Sequence, residues 1–449
     1  MDWILFIIFV ISFIIVYQIN KTSYYIYSIL FPYVGYFILN KAGYGLAYTV
    51  LNAQYIAIIA LAIFMGLFNK QSKSLFLYIG VFILFFVTLS FAQDVPYLKR
   101  LNDYKAPFIF LLWGGLLFED IKYRRVSVPR LKHFFVGFLV FEIILCSLQY
   151  MFEPIRDFFR NVNYVGIDGG IQEIGDVLKS GYMVGTFRGG STLANVLAIS
   201  FMTCAIYYFS NNRLTTQSLL LLLGIEIIIL LTGIRAALFL TFVFIVVLMF
   251  IYRQRRAITI PIIIALIIMA TGSVTFGYLE DFRSVNFEAG GLARSLTLFN
   301  VFSGNTLQEQ STFAMTVNMI PYVLQNPLFG IGLHYNGGYT LAQWGMRLED
   351  FSITDAMLSF EIAEIGIVGL LIYLWPLWYY MKKSQEIGAN RKRYLCLFLF
   401  MIMATVVDSG IMTSHLLMLF FFSVIFMINE KETNNIIQTI LMRKRHARH

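Results

Sequence analysis

The sequence predicts an all-α, polytopic membrane protein, and three observations lead there. Of its 449 residues, 59% are hydrophobic, 17% aromatic and only 13% charged, too few charges to give a soluble globule a polar skin. Apolar runs recur at spanning length, and a hydrocarbon core of roughly 30 Å needs about 20 helical residues. Lysine and arginine alternate between successive loops in a way that separates two faces. The three cysteines, Cys146, Cys204 and Cys396, all lie inside apolar runs, which points to core packing rather than a disulfide framework or a metal cluster.

In chain order, spans are expected near 3–17, 24–39, 46–68, 75–92, 107–118, 134–152, 191–209, 218–231, 236–252, 257–278, 357–380, 394–409 and 412–428. That makes about 13 transmembrane helices, within a range of roughly 12 to 14. The first run follows Asp2 directly, lacks a basic leader and has no small-residue cleavage site before "YQINKTS", so a retained helix is expected rather than a signal peptide. The fifth run is short and can borrow residues from Leu101 onward. No repeat of roughly 20–50 residues interrupts the pattern, and residues 1–449 read as one integral membrane domain.

Orientation follows from the basic residues, because cytoplasmic loops hold the positive excess. One set of alternating loops carries Lys21, Lys70 and Lys73, the 122–132 loop, Arg213, the 253–256 run, the 382–393 loop and the tail 429–449. These hold 22 of the chain's 34 basic residues and are expected to be cytoplasmic, with the C-terminus among them. The opposite set is far richer in acid, with Asp94, Asp103, Glu153, Asp157, Asp168, Glu173 and Asp176 in its first half. The formal net charge of +9 is then a topogenic signal and an attraction to anionic lipid in the bilayer, and a nucleic-acid partner is not expected.

One charged residue stands out in "SLLLLLGIEIIILLTGIRAALFLTFVFIVVLMFIY", Ser218 to Tyr252. As a single helix this run would extend about 52 Å at 1.5 Å per residue, far beyond a bilayer core. Two helices broken at Gly233 are expected, with Arg235 at the outer surface where the second begins. Either Arg235 snorkels to anchor the hairpin, or its guanidinium faces a polar cavity.

Two longer segments are expected on the outer face, 153–190 and 280–356, and together they form the candidate active-site face. The first ends in "GYMVGTFRGGSTLANVLAIS", which sets Arg188 beside a glycine pair at the mouth of a helix opened by Ser191 and Thr192, both good N-caps. A helix N-terminus, glycine amides and a guanidinium suit an anion. The second segment combines a turn at Asn326-Pro327, glycines 330, 332, 337 and 338, His334, the aromatics Tyr335, Tyr339 and Trp344, and the acids Glu349, Asp350 and Asp355. Aromatics beside carboxylates and amides suit sugar rings, which offer an apolar face and a rim of hydroxyls; an amphipathic lid over the bundle is the alternative. Candidate substrate-binding residues are Asn195, Arg283, Arg294, Tyr335, Asn336, Arg347, Glu349 and Asp350.

Glu142, Glu226, Glu361, Glu364, Asp408 and His415 fall inside spans, where a polar group is costly and should face the bundle interior. They serve either as a proton relay or as hydrogen-bonding contacts between helices. No Walker loop, HExxH pair, GxSxG elbow or nucleic-acid motif occurs, so nothing supports an ATP-driven pump or a metallohydrolase, and no cofactor or metal is expected.

The outer arginine in "TFRGGSTLANVLAIS", the "LLTGIRAAL" turn where related chains show TGSR-like residues, and "NPLFGIG" followed by "EIGIVGLL" together resemble the O-antigen polymerase and O-antigen ligase superfamily, over most of the chain. The resemblance implies joining of polyprenyl (undecaprenyl) diphosphate-linked oligosaccharides at the periplasmic face of the bacterial inner membrane, without metal or nucleotide sugar. It also implies a chain-length regulator as a candidate partner. Arg188 and Arg235 would stabilise the departing diphosphate, and Asp355 or His334 would receive or orient the acceptor hydroxyl. Ligases of the superfamily place histidine nine residues and one small polar residue before a Gly-x-x-Gly pair. Gly366 and Gly369 fit the pair, but counting back reaches Asp355 and Ala356, so the chain looks more like a polymerase of the Wzy type. The ligase, and from another class a glycolipid flippase or transporter, are the alternatives.

Overall fold

The computed structural model describes residues 2–30, 44–68, 79–81, 83–85, 87, 97–163, 185–186, 190–211, 214–232, 235–252 and 263–264, with shorter stretches between 324 and 428. About 90% of the described residues are helical and none forms a strand. Nine helices follow one another among them: α1 Asp2–Ile19, α2 Lys21–Leu30, α3 Tyr44–Phe68, α4 Tyr97–Lys122, α5 Val128–Met151, α6 Glu153–Asn163, α7 Gly190–Ser210, α8 Thr216–Thr232 and α9 Arg235–Tyr252. α5 and the Leu193–Ser210 part of α7 are long and apolar enough to cross a membrane.

The side chains are distributed inside out. α5 turns Val140, Phe141, Ile144 and Met151 outward and buries Glu142, Cys146 and Gln149. α9 exposes Phe250 at 81% and Ile251 while burying Thr241, and α1 exposes Ile7, Ile11 and Ile15 while burying Tyr17. In water this arrangement would leave large apolar patches uncovered; against hydrocarbon it places Glu142, Gln149 and Thr241 where a protein partner can meet them.

Packing divides the chain into two units, each assembled from separate stretches. The first comprises Met1–Phe9, Ser23–Gln54 and Pro129–Asn305. At its centre α7 packs against both α8 and α9, and α8 packs against α9. α7 is buried on nearly all sides from Leu193 to Ala205, with small residues such as Ala194, Ala198 and Ser200 that let neighbouring backbones approach. Its hydroxyls are satisfied within the helix: Ser200 donates to the Val196 carbonyl at 2.7 Å and Thr203 to that of Ile199 at 2.7 Å. α8 opens with a reciprocal cap in which the Ser218 amide donates to Thr215 Oγ1 at 3.2 Å and the Thr215 amide to Ser218 Oγ at 2.8 Å. Gln54 on α3 donates to the Ser28 carbonyl of α2 at 3.0 Å.

The second unit comprises Val10–Thr22, Tyr55–Val128 and Thr306–His449. Its inner helix is α4, buried all round from Leu111 to Ile121, with Trp113 wholly enclosed. α4 runs 26 residues where sequence hydropathy singles out only 107–118; hydropathy registers the apolar part, whereas helical hydrogen bonding continues through the charged turns at either end. The helix closes in a Schellman motif, the Arg125 amide donating to Asp120 O at 2.8 Å and the Arg124 amide to Ile121 O at 3.0 Å, with Arg124 left-handed at φ 57°.

Asp120 is a hub of this unit. Tyr17 donates its hydroxyl to Asp120 Oδ2 at 2.8 Å, and Lys21 and Arg125 each place a nitrogen 3.6 Å from Oδ1. The Ser127 amide donates to Thr22 Oγ1 at 3.0 Å beside it. Burial holds the Lys21 ammonium below the ordinary lysine range, and the opposing pull of the Asp120 carboxylate only partly offsets it. Two loops that the charge pattern assigns to the same face thus meet on one carboxylate. Asp120→Ala strands two cations and a buried hydroxyl at once. It is expected to lower stability by about 1–3 kcal/mol, and Tyr17→Phe by less, read as a fall in thermal midpoint of the detergent-solubilised protein.

Candidate functional site

Only part of the sequence-derived site falls on described residues. α9 begins at Arg235, and Asn195 lies half-buried near the start of α7. Arg188, Arg283, Arg294, His334, Tyr335, Asn336, Arg347, Glu349, Asp350 and Asp355 lie outside the described residues, as do Glu361, Glu364, Asp408 and His415. The long apolar run divides as α8 and α9, with Gly233 and Ile234 between them outside the described residues.

The segment 153–190 is not simply a connection, because α6 occupies Glu153–Asn163 directly after α5. Glu153 and Pro154 open it as first-turn residues do, and Arg156 bridges back to Glu153 at 3.1 Å. Eleven mixed residues fall below the length of a span, so a search for spans passes over them. Likewise α7 begins at Gly190, which places Ser191 and Thr192 inside its first turn rather than at its cap.

Before α7, the chain is held by α5. The Gln149 carboxamide makes a reciprocal pair with Gly185, donating to its carbonyl at 3.0 Å and accepting from its amide at 3.0 Å. Glu142 accepts from the Thr186 amide at 3.3 Å and from the Thr186 hydroxyl. All four residues are buried. Gly185 has φ 58°, and a Cβ there would lie 2.5 Å from Glu142 Oε2 and 3.3 Å from Cys146 Sγ. Sequence places Glu142 in the bundle interior; its partner, 44 positions away in a non-helical stretch, has no periodic signature.

α7, α8 and α9 follow one another through connections of a few residues and pack mutually, so α8 is antiparallel to both and the N-termini of α7 and α9 share one end. Beneath that end, Thr241 of α9 donates to Glu226 of α8 at 2.8 Å, a buried tie across the hairpin. Two helix N-termini, one opening at Arg235 and the other two residues beyond Arg188, present orphan amides and positive dipole ends that favour an anion.

In the second unit the structure joins two motifs that sequence separates. Asn326 opens a turn, accepting the Phe329 amide on Oδ1 at 3.3 Å and the Gly330 amide on its carbonyl at 2.8 Å. The carbonyls of Pro327 and Leu328 then accept the amides of Ile367 at 2.9 Å and Val368 at 3.0 Å. Residues 327–328 and 367–368 are thus joined backbone to backbone on either side, in sequence, of the stretch 331–364 that carries His334 and Asp355. Among the described residues no three His, Cys, Asp or Glu side chains converge as metal ligands.

No protein-family model matches the chain, and no characterised protein or solved structure matches it significantly.

Gly366 has φ 69°, and a Cβ there would lie 2.2 Å from the Leu328 carbonyl oxygen. Gly366→Ala is therefore expected to break the clasp, costing about 1–3 kcal/mol in backbone strain before the clash is counted. Gly137→Ala on α5, where a Cβ meets nothing within 4 Å, should be neutral or stabilising by up to about 1 kcal/mol. Thermal midpoints of both variants, with limited proteolysis between 331 and 364, check the contrast.

Proposed function

We propose that the chain is a membrane glycosyltransferase that polymerises polyprenyl diphosphate-linked oligosaccharide repeat units into O-antigen, capsule or exopolysaccharide. The observation that carries this reading is the shared end of α7 and α9, where two helix N-termini and the positions flanking Arg188 and Arg235 come together. In this reading about 13 spans cross the bacterial inner membrane, the basic loops and C-terminus are cytoplasmic, and the reaction runs at the periplasmic face.

The chemistry assigns the arginines their task. An acceptor hydroxyl oxygen attacks the anomeric carbon of the donor sugar; the bond from that carbon to the diphosphate breaks, and the diphosphate leaves with the electron pair. Negative charge grows on the leaving oxygen, so preorganised guanidiniums stabilise the transition state more than the ground state. Arginine suits this better than lysine because its planar fork grips two phosphate oxygens and keeps its charge near lipid. The hydroxyl proton passes to Asp355, with His334 as the second candidate base. Asn195, Arg283, Arg294, Tyr335, Asn336, Arg347, Glu349 and Asp350 are the candidate contacts to sugar and phosphate.

In a deletion strain complemented with variants, Arg235→Lys is expected to lose most of the activity, about tenfold or more, because a bidentate contact is worth a few kcal/mol and about 1.4 kcal/mol is tenfold in rate. Asp355→Asn should accumulate single repeat units on the carrier while the protein inserts normally. A size ladder of carrier-linked and surface-linked glycan reads both. Long chains stranded on the carrier with none at the surface would instead mark a ligase, and wild-type ladders from Arg188→Ala and Arg235→Ala would leave the arginines as membrane anchors.

A further inference from the structure

α6 differs in kind from the helices on either side of it. In its sequence, EPIRDFFRNVN, the apolar residues 154, 155, 158, 159 and 162 fall on one arc of about 140° at roughly 100° per residue, and every charged or amide residue falls on the other. α5 and α7 show no such division. A short helix with two opposed faces and little net hydrophobicity suits the surface of a membrane rather than its interior. Two acids and two arginines leave α6 without formal charge, so attraction to anionic headgroups adds nothing and apolar burial must hold it there.

Its place in the chain fits that surface. α5 runs 24 residues, about 36 Å at 1.5 Å per residue, against a hydrocarbon core of roughly 30 Å, so α6 opens where the core ends. No loop separates the two helices: the Phe152 amide donates to the Leu148 carbonyl at 2.8 Å, and the Phe152 carbonyl accepts the amides of Ile155 and Arg156, each at 3.1 Å. Pro154 has no amide with which to continue the α5 ladder, and the chain is free to turn there. The outward stripe of α5, Val140, Phe141, Ile144, Leu148 and Met151, is prolonged by Phe152 and Phe158, which are 49% and 42% exposed. Three sectors then follow one another around α6. Ile155, Arg156 and Phe159 are half-buried, Phe158 is exposed and apolar, and the side chains of Glu153 and Asp157 are 73% and 51% exposed.

We propose that α6 is an interfacial helix, which turns away from α5 and lies in the headgroup layer at the end of α5 opposite the basic 122–132 loop. Phe158 enters the boundary between headgroups and acyl chains, and Glu153 and Asp157 stay in water. The partner is the phospholipid surface itself, because Phe152 and Phe158 prolong the stripe with which α5 meets hydrocarbon. This rests on α5 being a span and is independent of the polymerase reading.

The test uses the full-length protein in nanodiscs of zwitterionic phospholipid, with Cys146, Cys204 and Cys396 replaced by alanine and a nitroxide attached in turn at Phe158→Cys, Asp157→Cys and Ile144→Cys. Collisions with oxygen, which concentrates in hydrocarbon, and with a water-soluble nickel chelate give the depth of each label. The label at 158 should lie about 5–10 Å below the phosphates, and nickel collisions at 157 should exceed those at 158 by about threefold or more. The label at 144 should lie deeper still, and added anionic lipid should leave all three depths unchanged. If the cysteine-free protein fails to insert, Phe158→Trp in the native background replaces the labels. Its emission beyond that of the five native tryptophans should be lost with lipids brominated high on the acyl chain and kept with aqueous iodide. Equal nickel access at 158 and 157, or quenching by iodide, overturns the proposal by putting both faces in water. A residue 158 closed to water-soluble and lipid-borne reagents alike overturns it by putting a second copy or another chain over the face. Entry that requires anionic lipid overturns apolar burial as its cause. Nickel access at 144 overturns the span reading of α5, and the proposal with it.

Discussion

The hold of α5 on Gly185 and Thr186 is the interaction on which the account of the first unit depends. A non-helical stretch entering an apolar bundle carries amides and carbonyls that no water will satisfy, and each unpaired group costs several kcal/mol there. Gln149 and Glu142 meet that cost for two residues at once and turn an obligation of solvation into a fixed point of the chain. Thr241 and Glu226 fix the hairpin beneath Arg235 in the same way, and Asp120 ties Tyr17, Lys21 and Arg125 in the second unit. These polar ties restrict which arrangement of apolar helices is acceptable, a selection that packing of greasy surfaces alone makes weakly.

Much of the helical architecture is legible in the sequence because its cause is local. The run from Ser218 to Tyr252 must break once, since one helix of that length would overshoot the bilayer, and α8 and α9 flank Gly233 as that argument requires. Glu142 of α5 and Glu226 of α8 announce an inward face, since their neighbours four residues away, Phe138 and Cys146 for the one and Leu222 and Leu230 for the other, are apolar and buried. What the sequence does not disclose is the partner. Glu142 meets Thr186 across 44 positions and Tyr17 meets Asp120 across 103, and no periodicity encodes either pairing. α6 escapes for another reason: eleven residues of mixed polarity look like loop to any argument built on spans.

Glycine has distinct roles at two motifs that were conspicuous in sequence. At Gly185 a left-handed backbone and contacts from α5 and α7 leave no room for a side chain. At Gly366 the obstacle is a backbone carbonyl, which cannot rotate aside as a side chain can, so the clasp between "NPLFG" and "GIV" admits no larger residue without moving. One motif thus sits at the mouth of α7, and the other at the stem of the stretch bearing His334 and Asp355.

The central claim is that Arg188 and Arg235 belong to one site, at one end of the paired helices α7 and α9. Spin labels placed at both positions, with Cys396 replaced to remove its half-buried thiol, measure this directly in nanodiscs. Packed helices lie about 8–10 Å apart, so with the label linkers a distance below about 25 Å is expected. Opposite ends of helices of this length would add about 30 Å along the axis, and a distance distribution centred beyond about 35 Å would contradict the shared site.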